Sequence, residues 1–203
     1  MTADSSAPSS RRRELQGIAA ELFAARGFAN VTVDDIGEAA GVSGPALYHH
    51  FAGKEALLGE MLVSISQQLL DGGRRIRDSS TGALPALVRF HCEFAVDNPS
   101  LITVHLRDLI NASPDDQRRV RHLQGRYVAI WVEALVLRWP GMTPRAARAA
   151  IHATLGLINS TPFSTTLPRR EMMAMLERMA LVALDTVAEQ PFAARTSAAV
   201  STS

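Results

Sequence analysis

Apolar side chains recur along this chain every three or four residues, the interval that lines one face of an α-helix. Leu15, Ile18, Leu22 and Phe23 make such a stripe across residues 11–26. Leu57, Leu58, Met61, Leu62, Ile65, Leu69 and Leu70 make another across 53–71. Gly72-Gly73 ends or kinks that second stripe, which leaves 74–82 as a connection. Further helices are predicted over 84–97, 100–110, 113–139, 143–160 and 168–188, with Asn98-Pro99 and Trp139-Pro140-Gly141 as breaks and 161–166 as a loop. Ser100 is placed to cap the second of these. Ser113-Pro114-Asp115-Asp116 is a strong start signal, with a cap, a proline at the first position and acids in the first turn. No alternating strand pattern and no internal repeat stands out. The expectation is an all-α chain of about nine helices.

The remaining two helices of that count lie close together. Thr32 can cap a helix whose first turn holds Asp34 and Asp35. Ile36 and Ala40 face inward at i, i+4, and Gly41 ends the helix where the backbone must turn sharply. Ser43 caps a second short helix, and Pro45 sits in its first turn, where a missing N–H costs nothing. Leu47 and Phe51 bury one side of it. The other side offers Gly44, Ala46, Tyr48 and His49. This is a helix-turn-helix, the arrangement that places its second helix in a DNA major groove.

The run from Val42 to Leu58 resembles the signature of the TetR/AcrR family of bacterial transcriptional regulators. Leu47-Tyr48, Phe51, Lys54-Glu55 and Leu57 carry the likeness. Upstream, the stretch 19–28 resembles the family's first helix and its terminating glycine, here Gly27. The likeness is specific over about residues 11–65. It implies a three-helix DNA-binding domain followed by a larger helical domain for ligand binding and dimerisation. The division expected is a disordered tail at 1–10, the helix-turn-helix domain at 11–55, the helical domain at 56–190 and a second tail at 191–203.

Composition adds little and excludes some. The chain has 203 residues, 47% of them hydrophobic, and no apolar run near the length of a membrane span. The N-terminus is polar, without a secretory apolar stretch, and Cys92 is the single cysteine, so a cytoplasmic location is expected. Net charge is +1, and through Glu60 eight acidic residues outweigh five basic ones. Bulk charge thus argues against DNA. Placement argues for it, since what counts is which cations meet phosphates.

Tyr48 can donate its hydroxyl to a phosphate, and His49 can reach a phosphate or a base edge. Ser43, Gly44, Pro45 and Ala46 open the second helix, and the small side chains of Gly44 and Ala46 let it approach the bases; the resemblance implies base contacts at these two positions. Neither offers bidentate hydrogen bonds, so shape readout carries part of the specificity. His49-His50 is not a metal pair, because adjacent helical positions diverge by about 100 degrees; His50 packs or touches a phosphate. The resemblance implies that Lys54 meets a phosphate, and that Thr32 and Val33 meet the backbone. Arg11, Arg12 and Arg13 either reach phosphates or an adjacent minor groove, or form a solvated tail. One such module is small, so a homodimer on a palindromic operator is expected.

Two faces suggest how the dimer forms. Ala146, Ala149, Ala150, Ala153, Gly156 and Leu157 form a small-residue face, and Met172, Leu176, Met179, Ala180, Ala183 and Val187 form a stripe on the last helix. Paired with their symmetry mates they build a four-helix bundle, unless the stripe is intramolecular core. The rest of the C-terminal half is rich in large apolar groups. Phe90, Phe94, Leu101, Tyr127, Trp131 and Leu135, with His91, His105, His152 and Asn159 as polar members, are the candidates to enclose a small, mostly apolar or amphipathic effector. No catalytic motif, cofactor loop or metal spacing is present; His91-Cys92-Glu93 holds a thiol and a possible base, but helix neighbours do not face each other. Rival readings are an effector-insensitive architectural DNA-binding protein and an activator of the same fold.

Overall fold

The computed structural model describes residues 10–42, 47–79, 82–164 and 166–188. Among them it has eight α-helices, three short 3-10 turns and no strand. The helices are α1 (Ser10–Arg26), α2 (Val33–Ala39), α3 (Lys54–Ser79), α4 (Ala83–Asp97), α5 (Pro99–Asp108), α6 (Pro114–Arg138), α7 (Pro144–Ile158) and α8 (Arg169–Ala188). Ser43, Gly44, Pro45 and Ala46, expected to open the second helix of the helix-turn-helix, lie outside the described residues, as do 1–9 and 189–203. Its described part is the helical pair Leu47 and Tyr48.

Local chemistry fixes the ends. The Thr32 hydroxyl accepts from the Asp35 amide at 3.1 Å, while the Asp35 carboxylate accepts from the Thr32 amide at 2.7 Å. This reciprocal box starts α2, and the Thr32 hydrogen bonds hold the Asp35 carboxyl below its ordinary value. Gly41, at φ 65°, ends it, and Gly27, at φ 84°, follows α1; both occupy the left-handed region that side chains disfavour. Ser113 and Thr143 cap α6 and α7, each followed by a proline at the first position.

Two expectations about helix ends are corrected. Asn98, not Ser100, occupies the cap position of α5, and Pro99 is its first residue. More consequentially, α3 passes through Gly72-Gly73 without a break and ends at Ser79, so Arg74 to Ser79 is helix and not connection. The glycines are there to admit neighbours. A Cβ on Gly72 would stand 2.7 Å from Cε1 of Phe90, and one on Gly73 would stand 2.8 Å from Cε2 of Tyr127. Two glycines weaken a helix by about 1 kcal/mol each relative to alanine; here the rings packed against them offset that loss.

The buried residues form two apolar clusters. One holds Leu15, Phe23, Ile36, Leu47, Phe51, Leu57, Leu58 and Leu62, joined by Val104, Ala112 and Val120 from later in the chain. The other holds Leu70, Leu87, Val88, Trp131, Leu135, Ile151 and Leu176. Helix α3 belongs to both and packs most extensively against α6. The helix-turn-helix is therefore carried on the N-terminal half of α3, whose C-terminal half is built into the second cluster.

Gly72→Ala is expected to lower unfolding stability by about 1–3 kcal/mol through overpacking against Phe90. Gly125→Ala on α6, where an added Cβ meets nothing within 4 Å, is expected to be neutral or stabilising by up to about 1 kcal/mol. Urea denaturation of the two variants side by side checks this.

Candidate nucleic-acid interface and effector core

At the helix-turn-helix, Leu47 and Phe51 point into the core at 1% and 2% exposure, while Tyr48 stands out at 57%. His49 is exposed beside it, and His50 is half-buried with its ring 6.5 Å from that of Phe51. Thr32 is exposed but engaged in its cap, and Val33 packs against the N-terminal cluster. Tyr48 and His49 are thus the described members of this group whose side chains stand most clearly in solvent.

Three of the four basic residues at this end of the chain, Arg11, Arg12 and Lys54, are engaged within the fold. Arg11 donates to the Ala40 carbonyl at 2.9 Å and pairs with Glu14 at 2.8 Å. Arg12 donates through Nε to Glu60 at 3.0 Å and lies 4.5 Å over the Phe51 ring. Both brace the fold, and neither is a solvated tail. Arg13 is exposed. Lys54 is also turned inward: its Nζ donates to the Val31 carbonyl at 2.9 Å and the Phe28 carbonyl at 3.1 Å, and sits 4.6 Å over the Phe28 ring. It ties the start of α3 to the turn before α2 through two of the three N–H donors of its ammonium.

Arg107 escaped the sequence reading. From α5 it donates to the Ala24 carbonyl at 3.3 Å and to that of Phe23, at the C-terminal end of α1, while pairing with the buried Asp108 at 3.0 Å. An Arg-Asp neighbour pair looks like solvated charge in a sequence; nothing local reveals a partner more than 80 positions away.

In the second cluster the structure brings together His91, Phe94, Tyr127, Trp131 and Asn159. His91 and Asn159 are joined through Nε2 and Oδ1 at 3.0 Å, and the Tyr127 hydroxyl meets His91 Nδ1 at 3.3 Å. Trp131 stands edge-on to both rings at 6.0 Å. Burial pushes His91 down to about 4, with the Asn159 hydrogen bond offsetting part of the shift. Burial pushes the Tyr127 phenol up. Leu135 is buried in the same cluster, and Phe90 presses on Gly72. Other candidates fall elsewhere. Leu101 packs on the N-terminal cluster, His105 pairs with Gln124, and His152 faces solvent. Cys92 is buried, and burial raises its thiol to about 12, so it stays protonated at neutral pH.

The last two helices show a mixed face. Met172, Leu176 and Ala180 are buried in their own chain, which corrects the stripe expected to face a partner. The outward stripe of α8 is Met175, Met179 and Val182, at 38%, 47% and 56% exposure. Ala149, Ala153 and Gly156 of α7 are exposed as well. Separately, an open cleft of about 1230 Å³ lies between α1, α3 and α6, with Arg13, Arg118, Arg119 and His122 among its lining residues. Among the described residues no helix is long and apolar enough to cross a membrane.

A small helix-turn-helix unit mounted on one long helix, whose far half enters a larger helical body, defines the two-part helical DNA-binding regulators. Residues 18–61 match the profile of the bacterial regulatory proteins of the tetR family. It is 40% identical over 105 residues to the HTH-type transcriptional repressor KstR2 of Rhodococcus jostii, an alignment covering 50% of this chain and 52% of that protein. The chain thus spans about half the length of the curated relative it matches. The fold extends further. A TetR-family regulator from Bordetella parapertussis superposes with a TM-score of 0.77 at 25% identity, over 87% of this chain and 95% of that one. The regulator FadR of Bacillus subtilis in complex with stearoyl-CoA superposes with a TM-score of 0.69 at 16% identity, over 87% and 97%.

A pH dependence follows from His91. Its folded-state value of about 4 lies below the ordinary 6.5, so between those values the unfolded chain binds the extra proton. Stability is therefore full above pH 6.5, falls as pH drops toward 4, and has then lost roughly 3 kcal/mol from this group. Denaturation midpoints across pH 4–7 check it; His91→Gln is expected to flatten that part of the profile.

Proposed function

We propose that this protein is an effector-responsive transcriptional repressor, without enzymatic activity, acting in the cytoplasm. It binds a palindromic operator as a homodimer and is released by a small, mostly apolar molecule. The observation that carries this reading is the continuity of α3 from Lys54, beside the helix-turn-helix, to Gly72-Gly73, where the rings of Phe90 and Tyr127 rest on it. A ligand that displaces either ring presses on the helix that carries the DNA-binding unit. The relative named as a repressor supports the sign of regulation, and the neighbour holding stearoyl-CoA supports an effector with a long apolar part.

In this mechanism Tyr48 and His49, with Gly44 and Ala46 just before them in sequence, meet the DNA. Two such units need a spacing of about 34 Å to read successive major grooves. The outward faces of α7 and α8, with Ala149, Ala153, Gly156, Met175, Met179 and Val182, pair the two copies. The effector favours a dimer whose units no longer match the groove spacing. A coupling of about 3 kcal/mol lowers operator affinity roughly 150-fold.

Selection of bound genomic DNA fragments by the purified protein tests the reading. Recovery of one short inverted repeat supports it; recovery of no motif, or only of A·T-rich DNA, contradicts it and favours an architectural role. With that operator, Tyr48→Phe is expected to weaken binding by about 1 kcal/mol with the dimer intact, through loss of one hydrogen bond; unchanged affinity in a gel-shift titration removes Tyr48 from the interface. Lys54→Ala is expected to lower thermal stability while leaving the slope of log affinity against log salt unchanged, because its ammonium serves carbonyls. A slope smaller by about one unit would place Lys54 at a phosphate.

A further inference from the structure

The polar groups inside the second cluster form a chain with one donor left over. Asn159 presents Oδ1 to His91, so Nε2 of the imidazole carries the proton and donates at 3.0 Å. The neutral ring then has its lone pair at Nδ1, where the Tyr127 hydroxyl donates at 3.3 Å. The indole N–H of Trp131 remains. Trp131 is wholly buried and its Nε1 has no well-formed hydrogen bond, its one weak contact being toward the Tyr127 oxygen. An indole nitrogen can only donate, so what completes the cluster is an acceptor. A buried donor left unmade is costly and rare.

The charge of that acceptor is also constrained. Among the described residues no lysine or arginine is buried, and His91 is neutral at pH 7 because burial lowers it to about 4. A carboxylate would have to shed its hydration with no cation to meet it. We propose that the cluster of Trp131, Tyr127, His91 and Asn159 is the polar end of the effector site, and that it takes an uncharged carbonyl oxygen, as in a ketone, ester or thioester, on an otherwise apolar ligand. This rests on the effector-responsive reading above. Phe94, half-buried with its ring 6.2 Å from that of His91, is the wall that moves to admit the ligand.

Matched pairs of probes test it on the full chain: 2-undecanone against undecanoate, and 2-decalone against decalin-2-carboxylate. Binding is read by thermal denaturation and by release of the selected operator fragment. At least one ketone is expected to bind about tenfold more tightly than its carboxylate, and Trp131→Phe, which keeps a ring and deletes the donor, is expected to erase that preference. Without ligand, Trp131→Phe is expected to melt lower than the native protein, because the smaller ring leaves part of a fully buried site unfilled. Carboxylates binding as well as ketones, or a preference that survives Trp131→Phe, overturns the proposal. Should the variant not fold, the preference of the native protein decides alone. Carboxylates that release DNA while ketones do not leave the effector-responsive reading standing and remove the neutral carbonyl; no binding and no release by any probe removes both.

Discussion

The close approach of two aromatic rings to one helix governs this molecule. Phe90 and Tyr127 lie where side chains on residues 72 and 73 would have to be, so α3 passes between α4 and α6 without displacing them only with glycine at both positions. Interiors are packed as densely as organic crystals, and such a contact transmits displacement instead of absorbing it. The same helix supplies Leu57, Leu58, Met61 and Leu62 to the core beneath the helix-turn-helix. A change in the aromatic cluster therefore has a stiff route to the DNA-binding unit. Tyr127 stands at the junction, with its ring on Gly73 and its hydroxyl on His91.

Around that helix, cations are spent on carbonyls. Arg11 holds Ala40 at the end of α2, Lys54 holds Phe28 and Val31, and Arg107 holds Phe23 and Ala24 at the end of α1. Carbonyls at the C-terminal end of a helix carry partial negative charge and have lone pairs to spare even where, as at Phe23, an amide already donates to them, so a cation there is favourable. These braces orient three short elements that have little area to bury against one another. They also explain how a unit with more acidic than basic residues keeps its shape, and leave Tyr48, His49 and Arg13 facing outward.

Much of this was legible in the sequence because it is local. The Thr32 cap, the turn at Gly41, the Ser113 and Thr143 starts and the 3.6-residue stripes all depend on neighbours in the chain. The inward faces of Leu47 and Phe51 and the outward face of Tyr48 follow from the same periodicity. What could not be read is set by partners distant in sequence. Gly72-Gly73 has the composition of a break, and only the rings brought by α4 and α6 make it a passage. Arg12 and Lys54 look like free cations until Glu60 and the Phe28–Val31 turn are in place. The polar cluster was legible as a set, in His91, Tyr127, Trp131 and Asn159, but its hydrogen-bond order was not. His152 was misplaced because a small-residue helix has apolar neighbours on more than one side.

Hydrogen exchange along α3 is the most direct test of the central claim. If the helix is one continuous beam, the amides from Gly72 to Ile76 exchange only as slowly as those of Leu58 to Leu62, through opening that approaches global unfolding. Fast exchange confined to Gly72 to Ile76, with the N-terminal half still protected, would mean that the glycine pair opens as a local hinge, and the rigid connection between the aromatic cluster and the helix-turn-helix would be wrong.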